Sequence, residues 1–113
     1  MVEIPNKIIE SIKHFVAKAE KINIHIQQAI LFGSYAKGTN HEWSDIDVAV
    51  VSENFEGIRF YDNLKLSKPV IHTNIDIETH PYRPEDFTED NLFVKETRIR
   101  HTYYLIVNER NNS

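Results

Sequence analysis

The feature that most constrains this chain is a pair of apolar runs separated by a glycine-serine break. Ile24 to Phe32 reads as a strand that stops at Gly33-Ser34. After a polar loop, Gly38 to Ser44, a second strand is expected from Asp45 to Val51. In that second run the acids and the aliphatics separate with period two. Asp45 and Asp47 share one face, and Ile46, Val48 and Val50 share the other. Such a chain builds a sheet with an apolar face to cover and carboxylates on the opposite side. A cover is at hand in residues 5 to 20, where Ile8, Ile9, Ile12, Phe15, Val16 and Ala19 fall at helical spacing. Pro5 suits the first turn of that helix, where no amide partner is lost.

Downstream, a short helix is expected around Tyr61 to Leu66 within the loop region 52–68. Val70 to Glu78 alternates and is expected to be a third strand, terminated by Pro81 and Pro84. Residues 85–97 read as weakly helical, His101 to Val107 as a last strand, and 108–113 as a frayed tail; the Tyr103 to Val107 run is a strand or a partner surface, with the strand favoured. With no repeat or linker, residues 1–113 are expected to form one domain. Its expected fold class is α+β, a mixed β-sheet with helices packed on it. A chain of 113 residues is long enough for one packed core and not for two.

The motif that carries chemistry is Gly33-Ser34-Tyr35-Ala36-Lys37-Gly38 followed by Ser44-Asp45-Ile46-Asp47-Val48. Where a buried strand turns into a short helix, free backbone amides and the helix dipole favour an anion. Gly33 lets the backbone approach a phosphate, the Ser34 hydroxyl can donate to one, and Lys37 either steers a phosphate or is simply solvated. Two neighbouring carboxylates repel unless a cation lies between them. Oxygen donors of this kind suit magnesium, which binds through one or two carboxylates plus substrate phosphates.

The joint pattern G-S-x-A-x-G, short loop, S-D-I-D-V resembles the signature of the DNA polymerase beta-like nucleotidyltransferase superfamily. The small size is similar to its minimal nucleotidyltransferase branch, which includes antitoxin partners of HEPN-domain proteins. The resemblance is strong over Ile30 to Val51 and elsewhere rests on element order. It implies a mixed-sheet fold, two divalent ions (Mg2+, with Mn2+ as a substitute) and a nucleoside triphosphate donor, with ATP expected. It also implies roles for Gly33, Ser34, Asp45 and Asp47. The family pattern further requires a third carboxylate on a later strand. Asp76 and Glu78, two apart in Ile75-Asp76-Ile77-Glu78, are both candidates. Asp76 is placed slightly ahead as the third metal ligand beside Asp45 and Asp47, and the choice stays open. The expected reaction is transfer of a nucleoside monophosphate to a hydroxyl, on a HEPN-type protein partner or with a second copy completing the acceptor surface. The alternative is a module that neutralises such a partner by occlusion.

Composition narrows the setting. The net charge is -4, and the nearest basic pairs, Lys65/Lys68 and Arg98/Arg100, form no block. Phosphate-backbone affinity comes from clustered Lys and Arg, so tight nucleic-acid binding is not expected. No apolar run approaches the roughly 20 residues of a membrane span, and the opening residues lack signal-peptide order. The absence of cysteine fits a cytoplasmic protein. Several residues have plain readings. Trp43 is expected to close its loop over the core rather than stack on a base, beside His41 on the same loop. His72 and His80 lack metal-ligand spacing and are assigned no metal. Arg98, His101 and Tyr103 resemble the Arg…His-x-Tyr of HEPN partners only by coincidence of types.

Overall fold

The computed structural model describes residues 3–100 and 103–109, with the side chains of 98–100 left aside. Four strands form one mixed sheet in the order β3-β2-β1-β4, namely β1 (Gln28–Phe32), β2 (Ile46–Val51), β3 (Ile77–Tyr82) and β4 (Tyr104–Asn108). β1 pairs antiparallel with β2 and β4, and β2 pairs parallel with β3. The helices are α1 (Asn6–Lys21), the single turn α2 (Ser34–Lys37), α3 (Arg59–Ile71) and α4 (Leu92–Arg100), with a 3-10 turn at Pro84–Asp86. No helix among the described residues is long and apolar enough to cross a membrane.

The apolar face is built as the alternation requires. Ile46, Val48 and Val50 pack with Ala29 and Leu31 against Ile8, Ile12, Phe15, Val16 and Ala19 of α1 and Leu66 of α3. Burying each large aliphatic or aromatic side chain contributes roughly 1.5–3 kcal/mol, so this layer anchors the sheet. Cross-strand register then fixes the other face. Phe32 stands opposite Asp47 on β1–β2, and Asp47 stands opposite Glu78 on β2–β3. Ala49 likewise pairs with His80, and Val51 with Tyr82. The near end of that face is polar. Its far end is covered by α4, where Phe93 meets Phe32 edge-on at 4.7 Å and stacks on Tyr82 at 5.8 Å.

Several expected elements shift. The first strand forms a ladder only from Gln28. Ile24 and Ile26 stay buried, but the His25 and Ile26 amides donate to the Asn54 and Glu20 side chains instead. Residues Val70 and Ile71 belong to α3, and the third strand begins at Ile77. Leu66 is buried and Val70 packs against the same core, and their four-residue spacing is helical. Ile75, which strand alternation would set on the face opposite Asp76 and Glu78, is 78% exposed. Pro81 lies inside β3 rather than ending it. The Asp76 and Tyr82 carbonyls accept from the amides of Ile46 on β2 and Ser52 just beyond it, so alternation turns the Pro81 nitrogen to the open edge, where a missing N–H costs no ladder bond. Asn108 is strand rather than tail, since it pairs with Gln28, and the Glu109 amide donates to Gln27. His101, and the tail from Arg110 to Ser113, lie outside the described residues.

Candidate active site

β1 delivers the chain to Gly33, whose φ of 75° and ψ of -151° fall in a region that side chains other than glycine avoid. The turn continues into α2, where the Lys37 amide donates to the Gly33 carbonyl at 3.0 Å. Gly38, with φ 77°, then ends the helix in the left-handed conformation. A β-carbon built on Gly33 would overlap Asp47 Oδ2, so the turn and the β2 carboxylate lie in direct apposition. Ser34, half-buried, opens α2, and Lys37 is exposed at its end.

The loop from α2 to β2 closes on a turn in which the Ser44 amide donates to His41 O. The Ser44 hydroxyl in turn accepts from the His41 amide at 2.8 Å. The turn is satisfied from within, which leaves Trp43 at its tip, 81% exposed. The expectation that Trp43 covers the core is therefore corrected. Asp45 lies one residue ahead of the β2 ladder and is exposed, whereas Asp47 is in the ladder and partly buried.

Glu78 and His80 reach the same place from β3. His80 Nε2 is 3.3 Å from Asp47 Oδ1 and 3.9 Å from Glu78 Oε1. One ligand atom from each of Asp47, Glu78 and His80 lies within 4.8 Å of the other two. Two carboxylates at this spacing suit a divalent cation that completes its shell with water or phosphate oxygens. Asp76 is not in this group. It sits in the turn before β3, exposed, its amide bonded to Asn74 Oδ1. Asp45 is not in this group either, and Ser34 and Lys37 belong to α2, which follows the Gly33 turn.

Two residues here carry no assignment from the sequence, His80 of the group and Arg59 beside it. His80 lacks a histidine-pair spacing, but its two-residue offset from Glu78 puts it on the same strand face. Arg59, the first residue of α3, stands in no motif of the sequence. Its Nη2 lies 2.9 Å from His80 Nδ1, and only the tertiary arrangement brings it there. The Phe32 ring packs edge-on to His80 at 4.8 Å. Burial raises the pKa of the neighbouring Tyr82 phenol, and the Arg59 charge partly offsets this.

Comparisons with known proteins bear on the family and the fold. Residues 9–104 match the nucleotidyltransferase domain family. A Methanocaldococcus jannaschii protein, provisionally named a protein adenylyltransferase, is 29% identical over 99 residues, covering 78% of this chain and 99% of that one. Among solved structures, a toxin-antitoxin crystal structure with AMP-PNP superposes with a TM-score of 0.53 at 21% identity, over 87% of this chain and 74% of its own. A toxin-antitoxin structure, MntA-HpeT, with two aspartates replaced by glutamate, gives 0.52 at 19% identity, over 90% and 76%. At these identities the two structures establish the fold.

Proposed function

The chain belongs to the nucleotidyltransferase domain family, and on that premise we propose that it transfers adenylate from magnesium-bound ATP to a hydroxyl on a protein partner, in a toxin–antitoxin setting in the cytoplasm. The observation that carries the reading is the apposition of Asp47 with Glu78 across β2–β3, beside the Gly33 turn. The adenylyltransferase name of the archaeal relative supports the donor and the acceptor class. The toxin-antitoxin structures, one with AMP-PNP, support the partner and the nucleotide. The finer identity, a HEPN-type toxin, rests on the resemblance to the minimal branch.

In this reading Asp45, just ahead of β2, and Asp47, within it, hold the cations, and Glu78 is the third carboxylate in preference to Asp76. Two bound magnesium ions would supply Lewis acidity to the attacking hydroxyl and to the leaving pyrophosphate. Glu78, exposed beside Asp47, would take the proton of the acceptor hydroxyl. The Gly33-Ser34 turn offers amides and a hydroxyl to a phosphate, and Lys37 adds a charge from the helix end. The contribution of the chain is positioning and electrostatics, with no covalent step on the protein.

One observation favours a second reading, occlusion without transfer. Phe60, Leu64 and Ile71 lie in one row along α3 and are 61–70% exposed, a surface suited to a protein partner. The two readings separate on the Asp45→Asn/Asp47→Asn protein. Transfer predicts that label from α-phosphate-labelled ATP no longer reaches the partner and that protection from the toxin is lost while binding persists. Full protection without label transfer would establish occlusion instead.

A further inference from the structure

Arg59, His80 and Asp47 come from three different elements, α3, β3 and β2, and make one continuous line of contacts. Arg59 Nη2 lies 2.9 Å from His80 Nδ1, and His80 Nε2 lies 3.3 Å from Asp47 Oδ1. The directions of these hydrogen bonds follow from chemistry alone. A guanidinium offers only donors, so Nδ1 must accept, and the ring hydrogen of the imidazole sits on Nε2. That hydrogen is directed at Asp47 Oδ1, with Glu78 Oε1 farther away at 3.9 Å. A ring nitrogen that carries its hydrogen has no lone pair to give a cation, although the distances alone would let His80 join the ligand set.

We propose that His80 is a positioning residue, set in its Nε2–H form by Arg59, that holds Asp47 Oδ1 and is not itself a metal ligand. Asp47 is then fixed from both sides. Oδ2 lies against Gly33, where a β-carbon would collide with it, and Oδ1 receives the His80 hydrogen bond. The His80 ring has little freedom of its own, being 16% exposed and braced edge-on by Phe32. Partners that orient ligating side chains in this way typically change metal affinity 10–100-fold when removed. The inference rests on the reading of Asp47 as a cation ligand, but the hydrogen-bond line exists independently of any cation.

The test is nitrogen-15 NMR of histidine-labelled protein, first without metal and then with magnesium and a non-hydrolysable ATP analogue. His80 is expected in the Nε2-protonated form in both states, and Arg59→Met is expected to let the two tautomers mix. By calorimetry, His80→Ala should weaken binding of the magnesium–nucleotide complex by about 10–100-fold. His80→Gln, whose amide can still donate, should recover most of that loss. An Nδ1-protonated ring in the free protein, movement of Nε2 to metal coordination on adding magnesium, or a tautomer indifferent to Arg59→Met would each overturn the proposal. Failure of the unsubstituted protein to bind the nucleotide complex would count against the proposed function instead. The tautomer in the metal-free protein would still decide the role of Arg59 and His80.

Discussion

Gly33 and Asp47 meet side by side where β1 ends, and the Asp47 carboxylate occupies the space that a β-carbon on Gly33 would fill. Gly33→Ala therefore faces two penalties, a backbone region nearly closed to other residues and a collision with a candidate ligand. A loss of about 1–3 kcal/mol in unfolding free energy is expected from the backbone alone. Metal-dependent nucleotide binding should fall further than that destabilisation explains. Calorimetry on the folded variant checks this, and normal magnesium–ATP affinity would show that Asp47 can move aside without consequence.

The pairing of Asp47 with Glu78 across β2–β3 predicts unequal roles for the two late acids. Glu78→Gln should lower transfer by about a hundredfold, the scale seen when a key electrostatic group is removed. Asp76→Asn, altering an exposed turn residue, should leave the rate within severalfold. Single-turnover label transfer to the partner distinguishes them, and the opposite ranking would return Asp76 to the site.

Asp62 is a structural acid that the sequence did not reveal. It is 2% exposed, and its two oxygens accept from the Glu56 and Gly57 amides at 2.8 and 2.9 Å. These bonds tie the loop before α3 to the helix that carries Arg59. Asp62→Ala should cost about 3 kcal/mol in urea unfolding, because two amides lose a charged acceptor. Asp62→Asn, which keeps one acceptor oxygen, should cost less. A change under about 1 kcal/mol for the alanine variant would mean that solvent takes over both amides.

Arg83 and Asp86 pair at 2.7 Å where β3 leads into the 3-10 turn. The hydrogen bond from Arg83, helped by its charge and opposed by desolvation, holds the Asp86 carboxyl below its ordinary value. A depressed carboxyl contributes stability that is full above its unfolded value of about 3.9 and is lost as pH falls through the folded value. Carboxyl NMR titration should place Asp86 below that ordinary value, and Arg83→Gln should bring it back up. Unfolding curves of the two proteins should converge in acid. An Asp86 midpoint unmoved by Arg83→Gln would show that the pair does not set it.

Much of the site was legible because it depends on local order. The Gly33-Ser34 break, the two-residue offset of Asp45 and Asp47, and the apolar alternation of Ile46, Val48 and Val50 are properties of short stretches. The helix over α1 was legible for the same reason, a stripe repeated over four turns. The third strand was misplaced because Val70 to Glu78 fits alternation and helical spacing alike over so short a run. Leu66 and Val70 decide for the helix only once a core exists to receive them.

By itself the sequence determined which chemistry the chain can carry: a glycine turn followed by two carboxylates at the start of a strand, with an apolar opposite face to anchor it. Local stereochemistry suffices for that, since strand alternation and the conformational freedom of glycine need no distant partner. The tertiary structure alone decided which later acid meets Asp47, that Arg59 reaches His80, and that Trp43 stays in solvent. Those outcomes depend on the parallel register of β2 with β3 and on where α3 begins. Register is chosen by how side chains pack across strands and helices distant in sequence, a choice that no local pattern encodes.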